Sequence, residues 1–258
     1  MLTFDHYERP ATADEAYALL QKRGTIVLGG GGWLRLGTRH VPRVVDPSDI
    51  VSDAITETAD TFEIGAMSTL RAFEQHPALN AFFTNAPRDC VRDIVGVQFR
   101  NIATVGGSVW GRFGFSDVLT LLQALDASVT LHHGGKVPIA AFAERSIRER
   151  DLLLSVTIPK KYVRAAIFAE RQTANDLPML TVAAALDAEG FAHISVGARP
   201  ARATAPLVLP VSEETPRLVA EQTAFGSNHH ASAAYRRILC QALVRRCLRA
   251  LREEDASC

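Results

Sequence analysis

The sequence predicts an α+β fold, and three kinds of pattern carry that prediction. Residues 12–21 have the apolar spacing of a helix, which Thr12 or Asp14 can cap. An arginine-rich helical pattern occupies residues 232–253. Runs typical of β-strands lie between these helices, at residues 25–28, 43–46, 61–66, 128–132, 153–158, 181–186 and 192–196. Helices and strands therefore share the chain along its whole length.

The order of these elements predicts several units. Helix 12–21 and the first two runs give a small βαβ unit of about fifty residues. A second unit starts near residue 61, with helices predicted at residues 69–75, 89–95 and 117–125, the last of them amphipathic. Residues 160–162 follow a proline and are predicted to be a linker. The rest of the chain, from Ala165, is predicted as strand, strand, loop and helix.

The C-terminal helix has two kinds of side chain at helical spacing. Its predicted apolar stripe consists of Tyr235, Ile238, Leu239, Ala242, Leu243, Cys247 and Leu251. Its arginines are expected to form a solvated face, with a subunit contact as the alternative: Arg236, Arg237, Arg245, Arg246, Arg249 and Arg252.

Composition excludes several classes of function. The chain has 258 residues, of which 47% are hydrophobic, enough to bury a substantial core. Lys plus Arg and Asp plus Glu both number 28, so no basic field indicates nucleic acid or an anionic membrane. No apolar run is long enough for a membrane span, and the N-terminus lacks the pattern of a signal peptide. We therefore expect a cytoplasmic protein.

Cysteine and histidine spacing predicts no metal centre. The four cysteines, Cys90, Cys240, Cys247 and Cys258, include no Cys-x-x-Cys pair, so an iron–sulfur cluster or structural zinc is not expected. Free thiols are expected instead, with Cys240 and Cys247 in the core. The histidine pairs at 132–133 and 229–230 flank turns and are expected to be solvated.

Two glycine-rich segments are the most informative local feature. Gly29, Gly30, Gly31 and Gly32 follow the run at 25–28, and Gly106 and Gly107 follow another apolar stretch. Glycine permits positive φ and close approach of a ligand, and neighbouring free N–H groups form a cradle for anions. Two cradles suggest a ligand with a diphosphate at its middle. The alternative for the first segment is a flexible loop.

Neither segment fits a common nucleotide motif. A Gly-x-Gly-x-x-Gly pattern fails because Leu34 and Arg35 stand where a third glycine is required. No lysine follows either turn as a Walker loop requires. No arrangement typical of nucleophilic or metal-dependent catalysis is present either, so no catalytic residue is assigned.

The surrounding sequence resembles the FAD-binding subunit of the molybdenum hydroxylases, the family of xanthine dehydrogenase and carbon monoxide dehydrogenase. The family's Ala-Gly-Gly-Thr/His-Asp/Ser-Leu corresponds to residues 29–34, and its Arg-Asn-x-x-Thr-Ile-Gly-Gly-Asn/Ser closely matches residues 100–108. A Ser-Asp pair follows in both, here Ser116 and Asp117. Further matches lie at residues 64–70, 125–127, 152–159 and 232–237.

This resemblance implies a fold and a domain division. It implies a two-part FAD-binding domain of the PCMH/vanillyl-alcohol-oxidase type, followed by a small α+β C-terminal domain. The expected boundaries are 1–160 for the first domain, with subdomains of about 1–55 and 56–160, and 165–258 for the second.

The resemblance also implies FAD contacts. The expected cofactor-binding residues are Val27, Leu28, Gly29, Gly30, Gly31, Gly32, Trp33, Leu34, Thr104, Gly106, Gly107, Ser108, Ser116, Asp117 and Leu153. Backbone amides of both segments would hold the diphosphate and ribityl region, and Thr104 would offer its hydroxyl to a phosphate. Asp117 would accept from a sugar or ribityl hydroxyl. Turn formation and helix capping are the alternatives for Thr104 and Asp117, and a core position is the alternative for Leu153.

Several positions depart from the family pattern. Gly32 stands where the family has Thr or His, and Trp33 stands where it has Asp, Glu or Ser. A lysine that contacts FAD in xanthine dehydrogenases falls at Ala169, with Arg171 the nearest basic residue. Fewer side-chain contacts to FAD are therefore expected.

The function implied by the resemblance is electron transfer within a heterotrimer. Electrons would pass from a molybdenum-cofactor large subunit, through 2Fe–2S clusters on a small subunit, to FAD on this chain and then to NAD or another acceptor. The chain itself would be an FAD-dependent oxidoreductase subunit of a xanthine dehydrogenase-like enzyme. The alternatives are a stand-alone flavoprotein oxidoreductase and a structural subunit that has lost FAD.

Overall fold

A computed structural model describes residues 1–252 of the chain, which folds around three β-sheets. The first sheet is parallel, in the order β1-β3-β2. Its elements are β1 (Thr3–Glu8), α1 (Ala13–Gln21), β2 (Thr25–Val27) and β3 (His40–Val45). The Thr12 hydroxyl caps α1 as predicted, accepting from the amide of Glu15 at 3.1 Å. The helix and the two strands predicted for this unit are present, and β1, which the sequence did not predict, completes the sheet.

The second sheet is antiparallel and has the order β4-β5-β8-β6-β7. Its strands are β4 (Ile55–Glu57), β5 (Thr61–Gly65), β6 (Ser128–Leu131), β7 (Gly135–Pro138) and β8 (Leu153–Pro159). The helices of this part are α2 (Leu70–Gln75), α3 (Pro77–Phe82), α4 (Ala86–Val91), α5 (Val97–Arg100), α6 (Val105–Trp110), α7 (Asp117–Ala124) and α8 (Ile139–Glu144).

Two helix predictions in this region are wrong in detail. The helix expected at 89–95 is α4, which begins and ends earlier. Val95 has a φ of 52°, which lies outside the range of a right-handed helix. Helix α7 is not amphipathic, because all of its residues are buried. It packs against α4 on one side and against strands of the third sheet on another, so no face of it meets solvent.

The third sheet is antiparallel, in the order β12-β11-β10-β9. Its elements are β9 (Tyr162–Glu170), β10 (Leu180–Asp187), β11 (Phe191–Gly197), β12 (Leu207–Pro210), α9 (Thr215–Gln222) and α10 (Ala233–Arg252). The linker predicted at 160–162 is a short turn that includes only Lys160 and Lys161. Tyr162 already belongs to β9; its ring is buried and its hydroxyl donates to Asp126 at 2.7 Å.

Two apolar clusters form the core. One fills the second sheet and its helices and reaches Ala183 and Ala185 of β10. The other lies between the third sheet and α10. Cys90, Cys240 and Cys247 are buried free thiols, and burial raises the pKa of Cys240 to about 12. Cys258 and the predicted helix end at residue 253 lie outside the described residues. Within residues 1–252, no helix is long and apolar enough to cross a membrane.

The prediction for the C-terminal helix is wrong in its first turns. Tyr235, Ile238 and Ala242 are exposed, and Arg236 is fully buried. The buried face consists of Arg236, Cys240, Leu243, Val244, Cys247, Leu248 and Leu251. The other arginines of the helix are exposed as predicted: Arg237, Arg245, Arg246, Arg249 and Arg252.

Arg236 is buried because protein acceptors satisfy its guanidinium. It donates to the carbonyls of Met179, Gly226 and Ala231, at 2.6–2.8 Å, and to the Asn228 side chain at 2.7 Å. These bonds tie α10 to the start of β10 and to the loop before the helix.

Replacing Arg236 should therefore destabilise the fold. Arg236→Ala leaves several buried acceptors unpaired, so we expect a loss of about 3 kcal/mol in the free energy of unfolding. Urea denaturation followed by circular dichroism measures this. Arg245→Ala, on the exposed side of the same helix, is the matched control and should change stability by less than about 0.5 kcal/mol. Equal effects of the two substitutions would contradict the structural role of Arg236.

Candidate functional site

A cavity of about 520 Å³ opens between the first and second sheets. Three stretches of chain form most of its wall, at residues 25–34, 103–113 and 147–153. Leu20, Pro47, Val51, Ala66 and Met67 complete the lining, which is mainly apolar. This size and character are typical of a site for a small organic ligand or cofactor.

The first glycine segment has free backbone donors, and Gly29, Gly31, Gly32 and Trp33 of this segment line the cavity. Among residues 1–252, no acceptor pairs with the five consecutive amides from Gly29 to Trp33. Gly30 and Gly31 have φ values of 73° and 71°, a conformation that L side chains rarely adopt. Successive unpaired amides in such a turn make a concave site for an anion. The segment therefore has the geometry expected of an anion cradle, and anion binding by it stays a prediction.

The second glycine segment is different. Gly106 and Gly107 lie in the first turn of α6, and α5 precedes them rather than a strand. The amides of Val105 and Gly106 donate to the carbonyls of Ser68 and Ala66, at 2.8 and 2.9 Å. Gly107 donates to the Thr104 hydroxyl at 3.0 Å. The expectation of a second cradle is wrong for these amides, because protein acceptors already engage them.

Thr104 joins the two glycine segments. Its hydroxyl accepts from the amide of Gly107 and donates to the carbonyl of Gly29 at 3.2 Å. A Cβ on Gly30 would stand 1.6 Å from the carbonyl oxygen of Ile102, and one on Gly106 would stand 2.5 Å from that of Ala66. These glycines are required because segments of backbone pack directly on one another.

Eleven of the fifteen predicted site residues line the cavity: Val27, Gly29, Gly31, Gly32, Trp33, Leu34, Thr104, Gly106, Gly107, Ser108 and Leu153. Leu28, Gly30, Ser116 and Asp117 are not part of its wall. Leu28 pairs with β3, its amide donating to Val45 at 2.8 Å. Ser116 caps α7, accepting from the amide of Leu119 at 3.1 Å.

Asp117 is engaged inside the protein. Its two carboxylate oxygens accept from Arg171 and from Thr181, each at 2.6 Å. Burial raises the pKa of the Asp117 carboxyl, and the Arg171 guanidinium and the Thr181 hydroxyl oppose that rise. The structure therefore places Asp117 where it joins α7 to the third sheet, and does not bring it to the cavity.

The loop at residues 147–152 is a part of the site that sequence reasoning missed. Glu149 is held by Arg145 at 2.7 Å and by the buried Arg112 at 3.5 Å. Arg148 lines the cavity, and its guanidinium has no partner within the described part of the chain. The loop sequence alternates basic and acidic residues, so only the fold shows that the guanidinium without a partner at the cavity is that of Arg148.

Trp33 covers one side of the first glycine segment. Its indole packs edge-on against Phe99 and Phe115, with ring centroids 5.4 and 6.0 Å away. A Cβ on Gly32 would meet the Phe99 ring at 2.9 Å. The larger side chains that the family has at position 32 would therefore not fit beside Phe99 without rearrangement.

Arg100, the first residue of the second sequence motif, has a structural role. Its guanidinium donates to both carboxylate oxygens of Glu74, at 2.9 and 3.3 Å, and Arg71 lies 2.9 Å from the same group. Burial raises the pKa of Glu74, but the two arginines outweigh it and hold that pKa below its usual value of 4.5. This pair fixes α5, and with it the chain leading to Thr104, on α2.

The Glu74 pair predicts a pH-dependent stability. Its folded-state pKa is depressed, so ionised Glu74 stabilises the fold above the unfolded pKa, and that contribution is lost as pH falls through the folded value. We expect Glu74→Gln to cost about 2 kcal/mol at pH 7 and much less near pH 3. Urea denaturation at both pH values measures the difference. The exposed Glu221→Gln should cost under about 0.5 kcal/mol at either pH, and a pH-independent cost of Glu74→Gln would refute this role.

Solved structures of similar fold cover almost the whole chain. A carbon monoxide dehydrogenase chain from Hydrogenophaga pseudoflava superposes with a TM-score of 0.83 at 19% identity, over 96% of each chain. A quinoline 2-oxidoreductase chain from Pseudomonas putida 86 gives 0.81 at 20% identity, again over 96% of each. A CO dehydrogenase chain from Oligotropha carboxidovorans gives 0.82 at 24%, over 96% and 97%. The predicted fold class is confirmed.

Sequence comparison agrees with the fold. Aldehyde oxidase 2 of Cavia porcellus is 26% identical over an alignment of 185 residues, and the match covers 63% of this chain and 14% of that relative. The chain thus spans a small part of that protein's length. Residues 2–161 match the family described as the FAD binding domain in molybdopterin dehydrogenase. Because this match covers more than half of the chain, the protein belongs to that family of FAD-binding domains.

Proposed function

We propose that this chain is the FAD-carrying electron-transfer subunit of a molybdenum hydroxylase complex. The observation that carries the proposal is the run of unpaired amides from Gly29 to Trp33, at the wall of a cavity of about 520 Å³ in a domain of this family. When bound, FAD supplies a redox centre that exchanges electrons with donors and acceptors. The chain's own residues bind and orient it.

The site fits a flavin dinucleotide in two respects. An amide cradle suits the diphosphate, because unpaired N–H groups stabilise negative charge without a change in protonation. The apolar walls at Trp33, Phe113 and Leu153 suit planar ring systems. Both features lie on one continuous cavity.

Charge at the cavity supports the same assignment. Arg148 has an unpaired guanidinium on the loop that lines the wall, whereas Glu149 is neutralised by Arg112 and Arg145. A free guanidinium on the wall of the same cavity as the amide cradle adds long-range attraction for a dianionic ligand. We assign Arg148 as the side chain that compensates the diphosphate charge.

Thr104, Ser116 and Asp117 act on the site indirectly. The Thr104 hydroxyl hydrogen-bonds to Gly29 and Gly107 and so holds the two glycine segments together. Ser116 and Asp117 fix the start of α7 and its contact with the third sheet. These are positioning roles, and they set the shape of the cavity rather than contact with the diphosphate.

The proposed complex contains two further subunits. A large subunit would carry the molybdenum cofactor, a small one the 2Fe–2S clusters, and NAD or another acceptor would receive the electrons in the cytoplasm. A xanthine dehydrogenase-like substrate range is part of this proposal. The proposal also includes a division of the chain into an FAD-binding domain, residues 1–160, and a C-terminal domain, residues 165–258.

The first test of this function uses the isolated, FAD-loaded chain. We expect no oxidation of a panel of purines, aldehydes and nitrogen heterocycles, because the sequence has no cysteine pattern for an iron–sulfur relay and the proposal places the molybdenum cofactor on another subunit. Reduction of the bound flavin by NADH is the positive control for an intact redox site. Robust oxidation of a panel member would favour a stand-alone oxidoreductase. A colourless protein that cannot be reconstituted with FAD would favour a structural subunit.

The second test concerns Arg148. Arg148→Gln should weaken FAD binding roughly threefold to tenfold, and the dissociation constant should depend less on salt, because one screened charge is removed. Fluorescence titration of the apoprotein at low and high ionic strength measures both effects. Arg245→Gln, on the outer face of α10, is the matched charge control and should leave affinity unchanged. An unaltered salt dependence in Arg148→Gln would exclude the assigned role.

A further inference from the structure

Two imidazoles and one carboxylate meet on the surface at a seam between the first and second sheets. Asp14 lies in the first turn of α1, and His132 and His133 lie in the turn between β6 and β7. We propose that these three side chains form a binding site for a zinc ion, separate from the anion cradle.

The spacing of the three side chains suits this ion. One ligand atom from each residue lies within 4.8 Å of the other two, and Nε2 of His132 is 2.7 Å from Oδ1 of Asp14. Tetrahedral zinc bound at about 2.0–2.1 Å places its ligand atoms roughly 3.3 Å apart. The observed separations, from 2.7 Å to at most 4.8 Å, lie on both sides of this value.

Hydrogen bonds from a buried carboxylate and a ring contact fix the turn that carries the histidines. The buried carboxylate of Asp151 accepts from the amides of His133 and Gly134, at 3.1 and 2.8 Å. The His133 ring stacks on Tyr17 of α1, with centroids 3.7 Å apart and an interplanar angle of 18°. Backbone and ring are thus ordered before an ion arrives, which reduces the entropic cost of binding.

The donor set selects the class of ion. Imidazole nitrogen favours zinc and other late transition metals, whereas calcium and magnesium prefer sites made only of oxygen. Three protein ligands leave a fourth position for water. Because the Asp14 side chain is 86% exposed, we expect a dissociation constant on the order of 10 µM, weaker than that of a closed structural site.

A bound ion would link two elements that both contact the loop at 147–152 of the cavity wall. Asp14 belongs to the helix whose last residue, Gln21, hydrogen-bonds with Arg150 of the loop at 147–152. The histidine turn is attached to the same loop through Asp151. A zinc ion bound here would therefore restrain α1 and the turn between β6 and β7 relative to each other at the protein surface.

Zinc titration of the purified chain tests the proposal. Isothermal calorimetry at pH 7.5 should give one site in the wild type, and Asp14→Asn and His133→Gln should each weaken it at least tenfold. The matched control is the double variant His229→Gln/His230→Gln, which removes the other vicinal histidine pair, where the rings also lie close together. This control should retain the wild-type affinity.

Thermal unfolding provides a second readout. A tenfold excess of zinc over its dissociation constant should raise the wild-type melting temperature by roughly 3–5 °C and leave that of Asp14→Asn unchanged. Asp14 is exposed, so Asp14→Asn should fold normally, and its melting temperature without zinc verifies this. Absence of binding below 100 µM in the wild type would overturn the proposal. Equal affinity of the wild type and Asp14→Asn would also do so, because the ion would then lie elsewhere.

Discussion

The hydroxyl of Thr104 holds together the two backbone segments on which the site depends. It accepts from Gly107 and donates to Gly29, and around it Gly30 and Gly106 touch neighbouring carbonyls so closely that no Cβ fits. This contact brings the end of the first sheet against helix α6 of the second part. The cavity is the space left beside that junction.

The junction gives the two glycine segments different tasks. The amides of the segment at 105–108 donate to Ser68, Ala66 and Thr104, so this segment has a structural role. The segment at 29–33 keeps its amides unpaired, so it can bind. A symmetrical pair of cradles, which the sequence suggests, would require unpaired amides on both sides. The contacts support one cradle, with the unpaired Arg148 guanidinium on another part of the same cavity wall.

Capping residues and apolar periodicity predict correctly those helices and strands in which these local patterns are regular. Thr12 caps α1, as its hydroxyl directly before an apolar-periodic run predicts. Leu153 lies in a strand, as its apolar run predicts. Strand β1 was missed because nearly all its side chains are exposed, so it lacks the alternation that marks a half-buried strand. The sequence of helix α7 predicts an amphipathic helix because its spacing of polar residues does not reveal that Asp117, Thr120 and Gln123 are buried.

The sequence could not show which polar groups find partners far along the chain. Asp117 is satisfied by Arg171 and Thr181, and Arg236 by the carbonyl of Met179 and by acceptors in the loop before α10, so neither behaves as its local pattern indicates. Asp14 and His132 are 118 residues apart and meet only in the folded chain. Such contacts depend on tertiary packing, which helical or strand periodicity does not encode.

Amide hydrogen exchange with and without FAD tests the central claim most directly. The amides at 29–33 should exchange fast in the apoprotein and become strongly protected when FAD binds. Those at 105–108 should be protected in both states, because protein acceptors already hold them. Bound FAD that leaves residues 29–33 unprotected, or new protection confined to residues 105–108, would contradict the account of a single amide cradle.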